Sequence, residues 1–230
     1  MTKIEEMIKK GRTIRTMNTD IAARSAEDGS TDDSMIVEGY ASTFNEVYEL
    51  GRYFDAWKGE DVIVQEQVDP HAFDEADMSD VCFYYNHHDP VLARHKGKGN
   101  DTLQLSTDDH GLKVTADLSR SANGKDCYTN IRNGLIDQMS FAFTVNEDKT
   151  EQTEDRENHT LTILRTITKI GKVYDVSAVD LPANDGTDIS ARSYCDGVIQ
   201  KLTAERLEAQ KKAEARKRLK LKIEMDLRKD

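Results

Sequence analysis

Cysteine is scarce in this 230-residue chain. Cys82, Cys127 and Cys195 are odd in number and far apart, and no CxxC pair among them points to a disulfide framework or a zinc site. Long apolar runs are missing too: none approaches the ~18 residues of a membrane span. The opening stretch, MTKIEEMIKKGRTIRT, has no apolar h-region, so no secretory signal is expected. Positive charge is in deficit, with 32 Lys and Arg against 43 Asp and Glu and a net charge of -11. That balance argues against nucleic acid as a partner. Internal repeats and a phosphate-cradling glycine loop are also lacking. These absences describe a soluble protein of a reducing compartment.

What is present divides into three zones. The chain is 37% hydrophobic and 33% charged, enough for one sizeable core with polar appendages. Residues 1–33 form a partly flexible N-terminal segment that ends in the polar loop SAEDGSTDD. Within it GRTIRT reads as an edge strand. Residues 34–192 carry nearly all the strand signals: MIVEGYASTF, VCFYYNH, the hairpin TLQLSTDDHGLKVTADL with its turn near Asp108, Asp109 and Gly111, then MSFAFTV, TLTILRTITKI and VYDVSAV. One helix is expected to start near Ser121–Asn123. It carries Cys127, Ile131 and Leu135 and stops at Asn133-Gly134. NEDKTEQTEDRENHT, residues 146–160, reads as a solvated hairpin loop. Residues 193–230 are proline-free, with eleven basic and seven acidic side chains, and favour a long exposed helix. Leu219, Leu221, Ile223, Met225 and Leu227 alternate as a strand would, but the i, i+4 stripe Leu219, Ile223, Leu227 fits the helix. The fold class is α+β, mainly β with helices, a barrel or sandwich.

The stretch GLIDQMSFAFTV poses the chemical question. Met139, Phe141, Phe143 and Val145 fall on one strand face and belong to a core; Ser140, Ala142 and Thr144 form a face of small side chains. Such a face either meets water or lets something approach Ser140 closely. A serine nucleophile needs a base in hydrogen-bond reach and a group that orients the base. His71, His95, His110 and His159 sit in polar, loop-like contexts. His87 and His88 end the strand in VCFYYNHHD, and His87 shares a face with Val81, Phe83 and Tyr85. Surface histidines at a strand end are the plainer alternative. Asp175 lies among apolar neighbours in KVYDVSAVDLP, where a carboxylate must find partners. An ordinary ion pair with Lys169 or Lys172 is the plainer account of it, and Asp180 and Ser177 are rivals. A metal site from His87, His88, Asp89, His95 and Cys82 is disfavoured, because adjacent strand residues point to opposite faces.

Several motifs also stand in a familiar order: VEGYASTFNE at 37–46, VDPHAF at 68–73, YNHHDPVLAR at 85–94, GLIDQMSFAF at 134–143, YDVSAVDLPAND at 174–185 and GTDISAR at 186–192. In that order the chain resembles the prohead proteases of tailed bacteriophages, the serine proteases of capsid maturation, over about residues 34–192. His71 stands where the family usually has Gly. The resemblance implies a β-barrel core with peripheral helices, like the herpesvirus assemblins. It also implies His87 as base, since it follows Asn86 directly (His88 is the alternative), Ser140 as nucleophile, and Asp175 as the third member. No cofactor or metal is implied. The implied partners are the major capsid protein, through its scaffold region, and the protease itself by self-association. No nucleic acid or membrane is implied, and the implied setting is the procapsid in the host bacterial cytoplasm. The rival expectation is a non-enzymatic capsid assembly or scaffolding protein, which the charged helical tail would suit.

Overall fold

The computed structural model describes residues 11–24, 35–180 and 189–227. Two compact units divide the chain, Met1–Arg192 and Ser193–Asp230. The stretches at 25–34 and 181–188, including SAEDGSTDD, LPAND and the start of GTDISAR, lie outside the described residues.

Among the described residues the first unit has ten strands: β1 (Thr13–Ala23), β2 (Ile36–Thr43), β3 (Tyr48–Asp55), β4 (Glu60–Val68), β5 (Val81–Tyr85), β6 (His88–His95), β7 (Leu103–Thr107), β8 (Gly111–Asp117), β9 (Gln138–Asp155) and β10 (Thr160–Val179). Hydrogen-bonded neighbours run β3-β4-β10-β9-β1-β2-β8-β7, and the β5–β6 hairpin branches off β10. Among the described residues no ladder joins the ends of this path, so strand pairing leaves the sheet unclosed. Side-chain and backbone bonds link β6 to the start of β7: Thr102 donates its N–H to the Arg94 carbonyl at 3.1 Å, Arg94 N–H donates to Thr102 Oγ1 at 3.0 Å, and His95 Nδ1 lies 3.3 Å from Leu103 O. The helix α1 (Ala122–Arg132) is capped by the Ser121 hydroxyl, which accepts from Gly124 N–H. It buries Cys127 and Ile131 and ends at Asn133 before Gly134, whose φ of 71° suits a residue without a Cβ. Leu135 falls past this stop and is exposed. Burial pushes the Cys127 thiol up to about 11.

No strand was expected at β3, β4 or β6, and three other elements differ from the sequence expectation. β1 is an interior strand, paired with β9 through Thr13–Met17 and with β2 through Ile21–Ala23, with a register shift between Met17 and Asp20. Composition hides this because one of the inward residues of β1 is an arginine: Arg15 is 2% exposed. The two strands expected on either side of Gly171 are one, the 20-residue β10, which carries four register shifts between Ile167 and Asp175. Residues 146–155 are not a loop but the far half of β9, and 148–155 pair one to one with 160–167 of β10. Their side chains are exposed, so no apolar alternation could betray the strand; the ladder of β10 holds it. Only residues 156–159 turn, around Asp155, whose carboxylate accepts from the N–H groups of Glu157 and Asn158.

The core lies against one face of this sheet and includes Val37, Phe83, Leu112, Val114, Met139, Phe141, Phe143, Ile170 and Val176. Phe141 and Phe143 stack with centroids 4.2 Å apart, and Phe73 lies 6.2 Å from Phe141. These rings fix the pleat of β9, so Ser140 and Ala142 must face the other way. The second unit is most of α2 (Ile189–Leu227), a 39-residue helix. Leu207, Leu219, Leu221 and Ile223 are exposed on it.

Candidate active site

β9 and β10 pair antiparallel with Ser140 opposite Ser177 and Ala142 opposite Asp175. Cross-strand partners project to the same side. One face of two strands therefore carries Ser140, Ala142, Ser177 and Asp175 together. β5 runs parallel to β10 on its far side, with Asp175 beside Cys82 and Ala178 beside Tyr85. It delivers the fifth residue.

That residue is His87, and it arrives differently from expectation. β5 ends at Tyr85, and Tyr85 pairs directly with His88 on β6. Asn86 and His87 form the two-residue turn between them, with φ of 51° and 58°. Positive φ at both central residues is the type I′ pattern that the twist of hairpin strands favours. It is a cost for histidine, which prefers φ below zero. Compensation is visible in the bonds around the turn. Asn86 N–H donates to Ala178 O at 3.0 Å, and His87 N–H donates to Ser177 Oγ at 3.2 Å. Outside, Asn86 Nδ2 and the Tyr85 hydroxyl both donate to Asp180. Asp180, the rival carboxylate, thus braces the hairpin from the solvent side. His88 is exposed and bonds the Asn86 carbonyl through Nδ1.

The turn hangs the imidazole over the two strands. His87 Nδ1 is 2.6 Å from Asp175 Oδ1, and Nε2 is 2.7 Å from Ser140 Oγ. An ionised carboxylate only accepts, so Asp175 holds the ring hydrogen on Nδ1 and turns the Nε2 lone pair to the serine. Ser177 Oγ donates to Asp175 Oδ1 at 3.3 Å while accepting from the His87 backbone. All four side chains are buried: His87 is 4% exposed, Asp175 1%, Ser140 and Ser177 0%. What closes over Ser140 is β1. Thr16 pairs with Ser140, and Arg15 O, 3.0 Å from the Ser140 hydroxyl, is a second acceptor competing with His87 Nε2 for its one hydrogen. Ile14 packs on Ala142, so the small-residue face meets the chain's own strand.

The three sequence candidates, His87, Ser140 and Asp175, thus meet at one point, while His88 and Asp180 do not join them. Neither plainer account of Asp175 applies, since Lys172 pairs with Asp77 and Lys169 with Glu75. Among the described residues no group of three His, Cys, Asp or Glu side chains is placed to hold a metal ion. Sequence reasoning missed two charged residues beside the site, Arg15 and Glu66. Glu66 is 0% exposed and lies on the β4 face of Val62, Val64 and Val68. Its period-two placement in EDVIVQEQV was a signal that a carboxylate goes inward. Arg15 Nε donates to Glu66 Oε1 at 2.5 Å, Tyr48 OH donates to Oε1 at 2.6 Å, and Arg165 donates to Oε2 at 2.7 Å. Burial alone would raise the Glu66 pKa, but the two guanidinium groups and the Tyr48 hydroxyl hold it below the usual carboxylate range.

A serine whose hydroxyl meets an imidazole that is held in turn by a carboxylate is the geometry used by serine hydrolases. The sequence pattern described as the caudovirus prohead serine protease matches residues 19–198, and the chain belongs to that family. No curated protein matches the chain, and no solved structure does. The family is one of serine proteases that act on phage capsid proteins, and capsid maturation in a procapsid is its setting.

Proposed function

We propose that this chain is the endopeptidase that cleaves the scaffold region of the major capsid protein, and itself, during procapsid maturation. Ser140 is the nucleophile, His87 the base and Asp175 the group that orients it. The observation carrying this reading is the continuous hydrogen-bond chain from Ser140 Oγ through both ring nitrogens of His87 to Asp175. Ser140 Oγ attacks the scissile carbonyl carbon as Nε2 takes its proton. The tetrahedral intermediate collapses, the C–N bond breaks, and the imidazolium gives that proton to the leaving amine. Water then repeats the sequence on the acyl-enzyme and frees Ser140. Asp175 keeps Nδ1 protonated throughout and stabilises the imidazolium.

Two further readings go with it. The fold is a barrel of the assemblin type, supported by the β5–β6 branch leaving β10 and reaching the residue before β7 through Thr102 and Arg94. The helical segment from 193 onward serves recruitment to the scaffold rather than chemistry, supported by its basic charge and exposed apolar side chains. A scaffolding protein without activity is the competing reading that this helix suits. Co-expression with the cognate capsid protein, read by intact mass, decides. Processing by the native chain and none by Ser140→Ala is expected. Equal processing by both would sink the protease reading.

A further inference from the structure

Thr13–Met17 of β1 lies on β9 as a substrate strand would lie on a protease. It is antiparallel to Met139–Phe143, with Thr16 opposite Ser140 and Arg15 opposite Phe141. Adding a strand to a sheet in this way is a common mode of peptide recognition: the ladder gives affinity and pockets for alternate side chains give specificity. Ile14 covers Ala142 on the site face. Arg15 points to the other face and places its guanidinium against the fully buried Glu66. Its carbonyl oxygen receives the Ser140 hydroxyl at 3.0 Å. The register shift between Met17 and Asp20 separates this half of β1 from the half that pairs with β2. The family match begins only at residue 19.

The charges around Arg15 are those of a receptor site. Arg165 bridges Glu66 and Asp148. With Arg15 in place, these four side chains balance. With Arg15 withdrawn, the remaining three carry a net charge of minus one around a buried carboxylate. Glu66 is approached by Arg15 through Nε on one oxygen and a terminal nitrogen on the other, a fork that suits arginine better than lysine.

Resting on the protease reading above, we infer that the Glu66 pocket selects a basic residue, arginine before lysine, at the position whose carbonyl Ser140 attacks, and that Arg15 fills this pocket as a built-in substrate mimic. The hydroxyl of Ser140 has one hydrogen. While it is given to Arg15 O it is not given to His87 Nε2, so the docked strand keeps the nucleophile idle as well as covered. Cleavage of another chain requires Thr13–Met17 to lift from β9, and the apparent reactivity falls with the fraction of molecules so opened.

The test uses the full chain and a fluorophosphonate probe with no peptide portion. Ser140 Oγ bonds to phosphorus as fluoride leaves, whatever the pocket prefers. Labelling of Ser140 is followed by intact mass for the native chain and Arg15→Ala, with Ser140→Ala as the blank. The native chain, Arg15→Ala and Glu66→Gln then each digest a library of unstructured peptides, with cut positions read by mass spectrometry. Arg15→Ala is expected to label roughly tenfold faster than the native chain. Cuts by the native chain and by Arg15→Ala should follow Arg, then Lys, roughly tenfold above their frequency in the library, and Glu66→Gln should lose that preference. Equal labelling rates overturn the closure by β1. Cuts indifferent to basic residues, or a preference that survives Glu66→Gln, overturn the pocket and leave the protease reading standing. No labelling of Ser140 in any chain overturns the protease reading and the inference with it. If Glu66→Gln does not fold, the cut positions of the other two chains decide alone.

Discussion

Asp175→Asn separates orientation from nucleophilicity. Asp175 Oδ1 takes two bonds, from His87 Nδ1 at 2.6 Å and from the Ser177 hydroxyl at 3.3 Å. The amide that replaces it has nearly the same shape, so packing at this buried position should hold. Its –NH₂ group changes the chemistry. Turned to the ring, it donates to Nδ1, the ring hydrogen moves to Nε2, and the imidazole can no longer accept the Ser140 proton. In the serine-protease template that wrong tautomer costs about ten-thousandfold in kcat, or about 5 kcal/mol of transition-state stabilisation. Ser177 opposes the flip, because its hydroxyl donates to Oδ1 at 3.3 Å and would have to turn to His87 Nδ1, 3.2 Å away, instead. Activity should therefore fall by about a thousand- to ten-thousandfold, less completely than in Ser140→Ala. Ser177→Ala added to Asp175→Asn should lower it again. Both are read as kcat/KM on a capsid-derived peptide, with a melting curve to confirm folding. An Asp175→Asn chain within tenfold of native kcat/KM would refute the tautomer argument. If Asp180→Asn were inactive at the same time, the third role would move to Asp180.

His87→Ala should abolish processing in the capsid co-expression assay, while His88→Ala, exposed and off the chain of bonds, should process normally; the reverse pattern would reassign the base. Gly111→Ala should destabilise by more than about 2 kcal/mol in urea melts, because its Cβ would meet the Ser42 carbonyl oxygen at 1.9 Å; a melt unchanged from native would contradict the close approach of β8 to β2. Glu66 has a folded pKa below its unfolded value, so its share of stability is complete above about pH 4.3 and is lost as pH falls through the folded pKa. Glu66→Gln should therefore melt with a shallower dependence on acid than the native chain, and parallel pH profiles would count against the buried cluster. Truncation after Arg192 should leave the core melting point within a few degrees of native while reducing incorporation into procapsids, and an insoluble or much less stable truncation would make α2 part of the core.

The site was legible where its residues obey local rules. MSFAFTV announced both its faces, and the rings of Phe141 and Phe143 do turn Ser140 away from the core. Asp175 stood out as a carboxylate among apolar neighbours, and its partners are the ones such a group requires. The hairpin at 103–117 and the capped helix at 122–132 follow directly from their turn and cap residues. What the sequence concealed depends on distant partners. His87 was expected on a strand, because nothing in NHH reveals that two successive residues adopt positive φ; bonds from Ala178 and Ser177 hold them there. β1 was expected at an edge, since Arg15 reads as a surface residue until Glu66, 51 positions away, is known to face it. The far half of β9 has no apolar face, so pairing with β10 makes it a strand without leaving a trace in composition.

The β9–β10 ribbon has a mechanical consequence. Ser140 and Asp175 sit at its base, and the same two strands run on to a four-residue turn at 156–159. At about 3.3 Å per residue, the tip stands roughly 50 Å from Ser140 along the strand. Such a lever would ordinarily carry every twist of its tip into the site. Here the four register shifts between Ile167 and Asp175 break the ladder into short pieces, and β4 grips β10 along residues 160–167. The shaft is clamped by β4, and the pairing between shaft and site is irregular. The tip can be pulled, tagged or lengthened while Ser140 and Asp175 keep their spacing, which makes 156–159 the natural handle of the molecule.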